Sequence, residues 1–180
     1  MTTLKSISLL LLVLLWTGCD TTDPVDDGAG EEELITRITL TLTGGGQTLE
    51  VTASDPDGDG SNPEVDTMEL VSGTVYTGTI GVYDDVNGMD VGAEIAEEAD
   101  EHQFFFTPGG ADASRVTVVA TDTDANNLPV GLSFRLEVSP GPAGTAALQV
   151  VLSHFDDAPK DGVTRSDETD IDITFPIVIQ

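Results

Sequence analysis

The sequence has little positive charge. Lysine and arginine together number 6 against 33 aspartates and glutamates, which gives a formal net charge of −27 at pH 7. A surface of this sign repels phosphate backbones and anionic headgroups, so binding to nucleic acid and charge-driven binding to membranes are disfavoured. The same acidic excess is typical of secreted proteins from salt-rich habitats, where ionic strength screens the repulsion between carboxylates. Any single pair of carboxylates is therefore weak evidence for catalysis.

Cysteine is nearly absent as well: Cys19 is the only one, so no disulfide can form within the chain. An apolar run from Ile7 to Trp16 follows Lys5 and ends in the residues WTGC. This run is shorter than the roughly 20 apolar residues of a transmembrane helix and is typical of a signal peptide. The pattern predicts a lipoprotein signal peptide over residues 1–18 and lipidation of Cys19. A plain secretory signal that leaves a free thiol is the alternative.

The segment after the cysteine has few apolar residues, only Val25 and Ala29. Residues 19–33 contain seven acidic residues, two glycines and one proline, which indicates a flexible acidic tether. Residues 34–180 are long enough to form one domain with its own core. Together these features predict a protein that reaches the outer membrane through its lipid anchor, on either the periplasmic face or the cell surface.

Helical periodicity is rare in residues 34–180. Stretches such as ITRITLTLT, QTLEVTA and DIDITFPIVI alternate apolar and polar residues, which is typical of half-buried strands. We therefore predict an all-β fold, an antiparallel, Ig-like β-sandwich of about eight strands. One short helix is expected within residues 89–102, where Val91 and Ile95 are four apart. Pro176 suggests that the last strand lies at an edge or carries a bulge.

One acidic loop resembles a calcium-binding loop. The stretch SDPDGDGSNPEVD places Asp55, Asp57 and Asp59 at alternate positions, then Gly60, and ends on Asp66 at position twelve. Alternating oxygen ligands and a glycine at the sharp turn are the pattern that wraps a hard cation. The flanks are predicted strands rather than helices, and position twelve is not glutamate. The alternative is a solvated turn that binds nothing.

The two histidines suggest a second kind of metal site. If residues 89–102 are helical, then Glu94, Glu98 and His102 share one face because they are four apart. His154 can join them from another strand. Imidazole and carboxylate ligands suit zinc or another divalent transition ion, so Glu98, His102 and His154 are the predicted ligands. The alternative is an ordinary solvated helix face, and calcium is favoured over zinc as the cofactor.

No catalytic motif is present. The sequence contains no G-x-S-x-G, H-E-x-x-H, P-loop or G-x-G-x-x-G pattern. Ser153 and His154 are neighbours on a predicted strand and so point to opposite faces, which prevents a nucleophile–base pair. Trp16, the only tryptophan, lies in the predicted signal peptide, which leaves the domain without the best residue for sugar stacking. We predict that the chain is not an enzyme.

Five stretches, EEELITRITLTLT, DPDGDG, YTGTIGV, EEADEHQFFF and ETDIDITFPIVI, resemble a family of bacterial envelope lipoproteins from the Bacteroidetes and their salt-adapted relatives. Some members of that family are described as having a type 1 periplasmic binding fold, which implies an α/β architecture, whereas the strand pattern here predicts a β fold. The resemblance implies an envelope lipoprotein that assists nutrient or metal uptake.

The predicted function is that of a lipid-anchored, non-enzymatic binding module. Its ligand is expected to be a divalent cation, or a solute passed to an outer-membrane transporter. The competing interpretation is a structural or adhesive surface lipoprotein whose acidic face only keeps it soluble in salt.

Overall fold

Alternating apolar and polar residues do form strands along most of the domain. The computed structural model describes residues 34–58, 60–156 and 158–180. Within them the chain forms ten strands and one α-helix, α1, which spans Val91–Glu97. The predicted signal peptide, tether and Cys19 lie outside the described residues. The strands are β1 (Arg37–Gly44), β2 (Gln47–Ser54), β3 (Glu64–Val65), β4 (Met68–Leu70), β5 (Val75–Tyr83), β6 (His102–Gly109), β7 (Val116–Ala120), β8 (Ser133–Val138), β9 (Gly144–His154) and β10 (Glu168–Ile179).

The strands form two sheets that share one core. Six strands lie in the order β3-β2-β1-β5-β8-β7, and four lie in the order β4-β10-β9-β6. Named pairs are antiparallel except that of β4 with β10, which is parallel. The core takes inward-facing side chains from both sheets, which buries one face of each, as in a sandwich. The prediction of an all-β sandwich is confirmed. Core residues that are fully buried include Leu40, Leu42, Tyr76, Phe134, Leu136, Leu148, Leu152, Phe175 and Ile179.

Helix α1 is shorter than the segment predicted for it. It ends at Glu97, and His102 is the first residue of β6, so the predicted single helix face through Glu94, Glu98 and His102 is wrong. The run of three phenylalanines after His102 has strong strand propensity and buries its first ring against the core. Tertiary packing of that run places the chain in a strand before a third helical turn can form.

Strand β10 lies between β4 and β9 in its sheet, so the predicted edge position for Pro176 is wrong. Pairing with β4 begins only at Ile177, whereas Pro176 pairs with Ala147 of β9 on the other side. At Pro176, which has no N–H to donate, β10 therefore pairs with β9 alone. The bulge in β10 lies elsewhere, between Thr169 and Ile171.

The described residues do not show the α/β architecture that the family resemblance implies, since their one α-helix has 7 residues. In that part of the chain, no helix has the length and hydrophobicity needed to span a membrane.

Gly78 makes room for a core ring. It lies opposite Phe134 in the pairing of β5 with β8, and a Cβ at this position would overlap the phenyl ring. Phe134 in turn packs 4.9 Å from the ring of Phe106. We expect Gly78→Ala to lower the free energy of unfolding by about 1–3 kcal/mol, because the buried ring must shift. Urea unfolding measures this loss.

The matched control is Gly109→Ala in β6, where an added Cβ meets no atom within 4 Å and the backbone φ is not positive. This variant should unfold at nearly the wild-type urea concentration. Equal losses for Gly78→Ala and Gly109→Ala would contradict the assignment of the effect to Phe134.

Candidate metal site

The two histidines lie side by side at one end of the sandwich. His102 opens β6 and His154 closes β9, and the two are directly opposite in the strand pairing. Their rings stack with centroids 4.3 Å apart and planes at 20°. The next pair in the same row is Phe104 with Leu152, both buried in the core. The histidines therefore occupy core-facing positions, and they are only 0% and 7% exposed.

A β-bulge brings a carboxylate to this pair. In the pairing of β10 with β9, Thr169 lies opposite Ser153 and Ile171 lies opposite Leu152, which leaves Asp170 as the extra residue. A bulge redirects the side chain that it carries. Ligand atoms of His102, His154 and Asp170 all lie within 4.8 Å of one another. We call these three residues the inner group, and their side chains could hold a metal ion.

The backbone at the end of α1 orients the first histidine. His102 Nδ1 lies 3.2 Å from the carbonyl oxygen of Glu98. A proton on Nδ1 donates to this oxygen and leaves the lone pair on Nε2, which is the tautomer that a metal ligand needs. The predicted ligand Glu98 thus contributes its carbonyl, while its side chain is exposed and belongs to neither histidine-containing group in the described structure.

A second set of ligand atoms surrounds His154 on the solvent side. Glu101, His154 and Asp156 also have ligand atoms within 4.8 Å of one another, and we call them the outer group. His154 Nε2 lies 2.8 Å from Asp156 Oδ1. Glu101 and Asp156 are exposed and line a cavity of 380 Å³ with residues that include Asn126 and Pro159. His154 is therefore shared by a buried group and an exposed one.

A buried ion pair supports the start of β6. Lys160 Nζ donates to the carbonyl oxygens of Ala99 at 2.7 Å and His102 at 3.0 Å. The same ammonium lies 3.0 Å from Asp124 Oδ2, and each side chain is 1% exposed. Asp124 also accepts from the backbone N–H of Leu128 at 2.9 Å. These contacts join the end of α1, the first residue of β6 and the loop before β8.

The predicted calcium loop uses its aspartates for internal hydrogen bonds. Asp55 Oδ2 accepts from the N–H of Gly60 at 2.7 Å, and Gly60 has the positive φ, 73°, expected of the sharp turn. Asp66 Oδ2 instead accepts from the N–H of Thr52 in β2 at 2.9 Å. The carboxylate predicted to close the loop is therefore held by a strand.

The structure does not bring the described members of that loop together as ligands. Within the described ranges, Asp55, Asp57 and Asp66 do not form a group with ligand atoms inside 4.8 Å. Asp59 lies outside the described residues. The calcium site at Asp55, Asp57, Asp59 and Asp66 stays a prediction.

The loop and the inner group border the same cavity. Asp55, Gly58 and Gly60 line one side of a 320 Å³ space, and Asp170 and Ile171 of β10 line the other. The half-buried Asp170 therefore connects the inner group to this cavity. The arrangement gives the inner group a second approach, on a side distinct from the outer group.

Sequence reasoning identified both histidines but missed three carboxylates. Glu101 and Asp156 lie within two positions of a histidine, which was an available signal. Asp170 had none, because the alternation of Ile171 and Ile173 with acidic residues predicts that it faces away from the core. The bulge in β10 reverses this expectation.

Comparison with known proteins finds no matching family model, curated protein or solved structure. Function is therefore inferred from the geometry of the two groups around His154.

Proposed function

We propose that this chain is a lipid-anchored, non-enzymatic module of the cell envelope that binds a divalent transition metal at the inner group, with zinc as the best-suited ion. The observation that best supports this proposal is the placement of the chain's only two histidines. They stack at 4.3 Å in core-facing positions, with the Asp170 carboxylate in the same group. Each ring is already held by a polar partner, His102 by the Glu98 carbonyl and His154 by Asp156, and two imidazoles with a carboxylate are a donor set that suits a divalent transition metal.

The ligand chemistry supports zinc over calcium at this position. Zinc binds imidazole nitrogen and carboxylate oxygen at about 2.0–2.2 Å with tetrahedral geometry, which places neighbouring ligand atoms roughly 3.3 Å apart. The inner-group atoms lie within 4.8 Å of one another, so the side chains must rotate toward a common point to reach zinc-binding distances. Calcium prefers six to eight oxygen ligands, which two imidazoles do not provide.

Charge and coordination number support exchange rather than permanent binding. The net charge of −27 attracts divalent cations and raises their concentration near the protein. Three protein ligands leave the fourth zinc position open to solvent or to a partner's ligand. An anchored module with such a site fits a role in passing a metal to an outer-membrane transporter.

Thermal unfolding of the full chain tests the proposal. After chelation, zinc, calcium and magnesium are added separately at one fixed, high ionic strength. Zinc is expected to raise the melting temperature saturably, by roughly 5–10 °C at about a hundredfold excess over Kd. His102→Ala should remove most of this rise, whereas Glu98→Ala should keep it because the Glu98 carboxylate is outside the inner group.

Two other results would contradict zinc binding at the inner group. Stabilisation by calcium alone, lost in Asp57→Ala, would move the site to the acidic loop. A response to ionic strength with no preference among cations would favour the structural or adhesive lipoprotein.

A further inference from the structure

The carboxylates of Glu101 and Asp156 lie beside His154 at the 380 Å³ cavity and are not part of the inner group. We propose that the outer group of Glu101, His154 and Asp156 is a second metal position, where a divalent transition metal is captured from solvent before it moves to the inner group. This inference rests on the proposed function, because it requires the inner group to bind metal. It adds a route and a second set of ligands.

The geometry places one histidine in both groups. His154 Nε2 faces Asp156 Oδ1 at 2.8 Å, while the face of the same ring stacks on His102. Among the described residues, His154 alone belongs to both sets of ligand atoms. A metal moving between the groups can therefore keep an imidazole ligand throughout, which removes the need to release the ion into solvent.

Exposure sets the direction of transfer. Glu101 is exposed and the Asp156 side chain is 19% exposed at the 380 Å³ cavity, whereas His102 is fully buried. An ion arriving on this side meets the two carboxylates before it can reach the second imidazole. The outer group offers two oxygens and one nitrogen, and the inner group offers one oxygen and two nitrogens. Zinc favours the imidazole-richer set, so the inner group is the final position.

Transfer between the groups is a ligand exchange. Bonds from the metal to the Glu101 and Asp156 carboxylates break, and bonds to a nitrogen of His102 and a carboxylate oxygen of Asp170 form. The proton that His154 Nε2 donates to Asp156 leaves that nitrogen when the metal is captured at the outer group. His154 then keeps its bond to the metal as a neutral donor, so the transfer itself needs no oxidant, reductant or net proton transfer.

Stopped-flow zinc binding to the metal-free full chain, followed by competition with a fluorescent chelator, tests the route. In Glu101→Gln/Asp156→Asn, zinc association should slow by about tenfold or more, a size typical of lost electrostatic and ligand capture. The inner-group affinity should stay unchanged, so dissociation should slow by the same factor. Glu94→Gln/Glu97→Gln is the matched control, because it removes the same charge from exposed positions on α1 and should bind at the wild-type rate.

A second variant isolates the outer group. His102→Ala disables the inner group, and it should keep weak, fast-exchanging zinc binding that disappears when Glu101→Gln/Asp156→Asn is added. Equal association rates for the outer-group variant and the α1 control would overturn the proposal and would place entry at the cavity beside Asp170. Loss of all binding in His102→Ala would also overturn it. Absence of zinc binding in the wild-type chain would instead refute the proposed function itself.

Discussion

Lys160→Ala is expected to lower the free energy of unfolding by about 3–5 kcal/mol, because it leaves the Asp124 carboxylate buried without its counter-ion. Both side chains are 1% exposed, and the two charged atoms lie 3.0 Å apart. The variant also removes the donor to the carbonyl oxygens of Ala99 and His102, so two more polar atoms lose a partner. Urea unfolding at neutral pH measures the loss.

An exposed ion pair provides the control. Arg135 and Glu137 lie 2.8 Å apart, but their side chains are 48% and 44% exposed. Solvent screens such a pair, so Arg135→Ala should change stability by no more than about 1 kcal/mol. If both variants lose the same small amount, the Lys160 pair is not the internal connection that the structure indicates.

The pH dependence of this stabilisation follows from the aspartate. Burial by itself raises the pKa of Asp124, but the N–H of Leu128, the ammonium of Lys160 and the N–H of Asn126 together outweigh it. The pKa therefore lies below the ordinary value of 3.8. A lowered folded-state pKa stabilises the fold above the unfolded value, and this contribution is lost as pH falls through the folded value. The difference between wild type and Lys160→Ala should be constant near neutral pH and shrink below about pH 4.

Loss of this ion pair should also loosen the inner group. Lys160 holds the carbonyl of His102, and the N–H of Phe104 donates to the carbonyl of Val130 at 2.7 Å in the loop that carries Asp124. The first residues of β6 are thus fixed from two sides before any metal binds. A preorganised ligand costs less conformational entropy on binding, so zinc affinity should fall in Lys160→Ala although none of the metal ligands changes.

The fold was predictable from the sequence because its strands have one face toward the core and one face toward solvent. In β1, Ile38, Leu40 and Leu42 are buried and the threonines between them are half-buried, as strict alternation requires. The helix boundary was not predictable in the same way. Alanine and glutamate favour a helix through residue 101, and only the packing of the phenylalanine run shows that the strand begins at His102.

The site depends on contacts that a linear pattern does not contain. The pairing of His102 with His154 is set by the register of two strands far apart in sequence, and the position of Asp170 is set by one bulge. A slip of one residue would turn either side chain to the other face of the sheet. Composition could identify histidine as the informative residue, but it could not identify its partners.

The acidic residues explain why a carboxylate motif alone does not identify a cation site. Several aspartates accept hydrogen bonds from backbone N–H groups in turns and at strand ends, and these bonds stabilise the local backbone conformation. Carboxylates in these positions stabilise loops that would otherwise leave donors unpaired. An acidic loop such as the one at Asp55 therefore needs no cation to account for its residues. The aspartates that make such bonds include Asp55, Asp66, Asp84, Asp112, Asp122, Asp124 and Asp161.

His154→Asn is expected to reduce zinc affinity by more than about 100-fold, because partners outside the coordination shell already contribute 10–100-fold and this change removes a direct ligand. The loss should exceed that of His102→Ala, which disrupts only the inner group and leaves Glu101, His154 and Asp156 in place. Isothermal titration of zinc into the metal-free full chain measures both affinities. The cobalt absorption spectrum of each variant reports the change in ligands.

Asparagine keeps a polar side chain that can still hydrogen-bond near Asp156, so His154→Asn should fold, and its melting temperature without metal verifies this. A comparison of the zinc affinities of the two histidine variants distinguishes two arrangements of the metal site. If zinc binds one isolated inner site, the two histidines are equivalent ligands and both variants should lose affinity equally. If the outer group also binds, only His154→Asn removes both positions, because among the described residues His154 alone belongs to both groups.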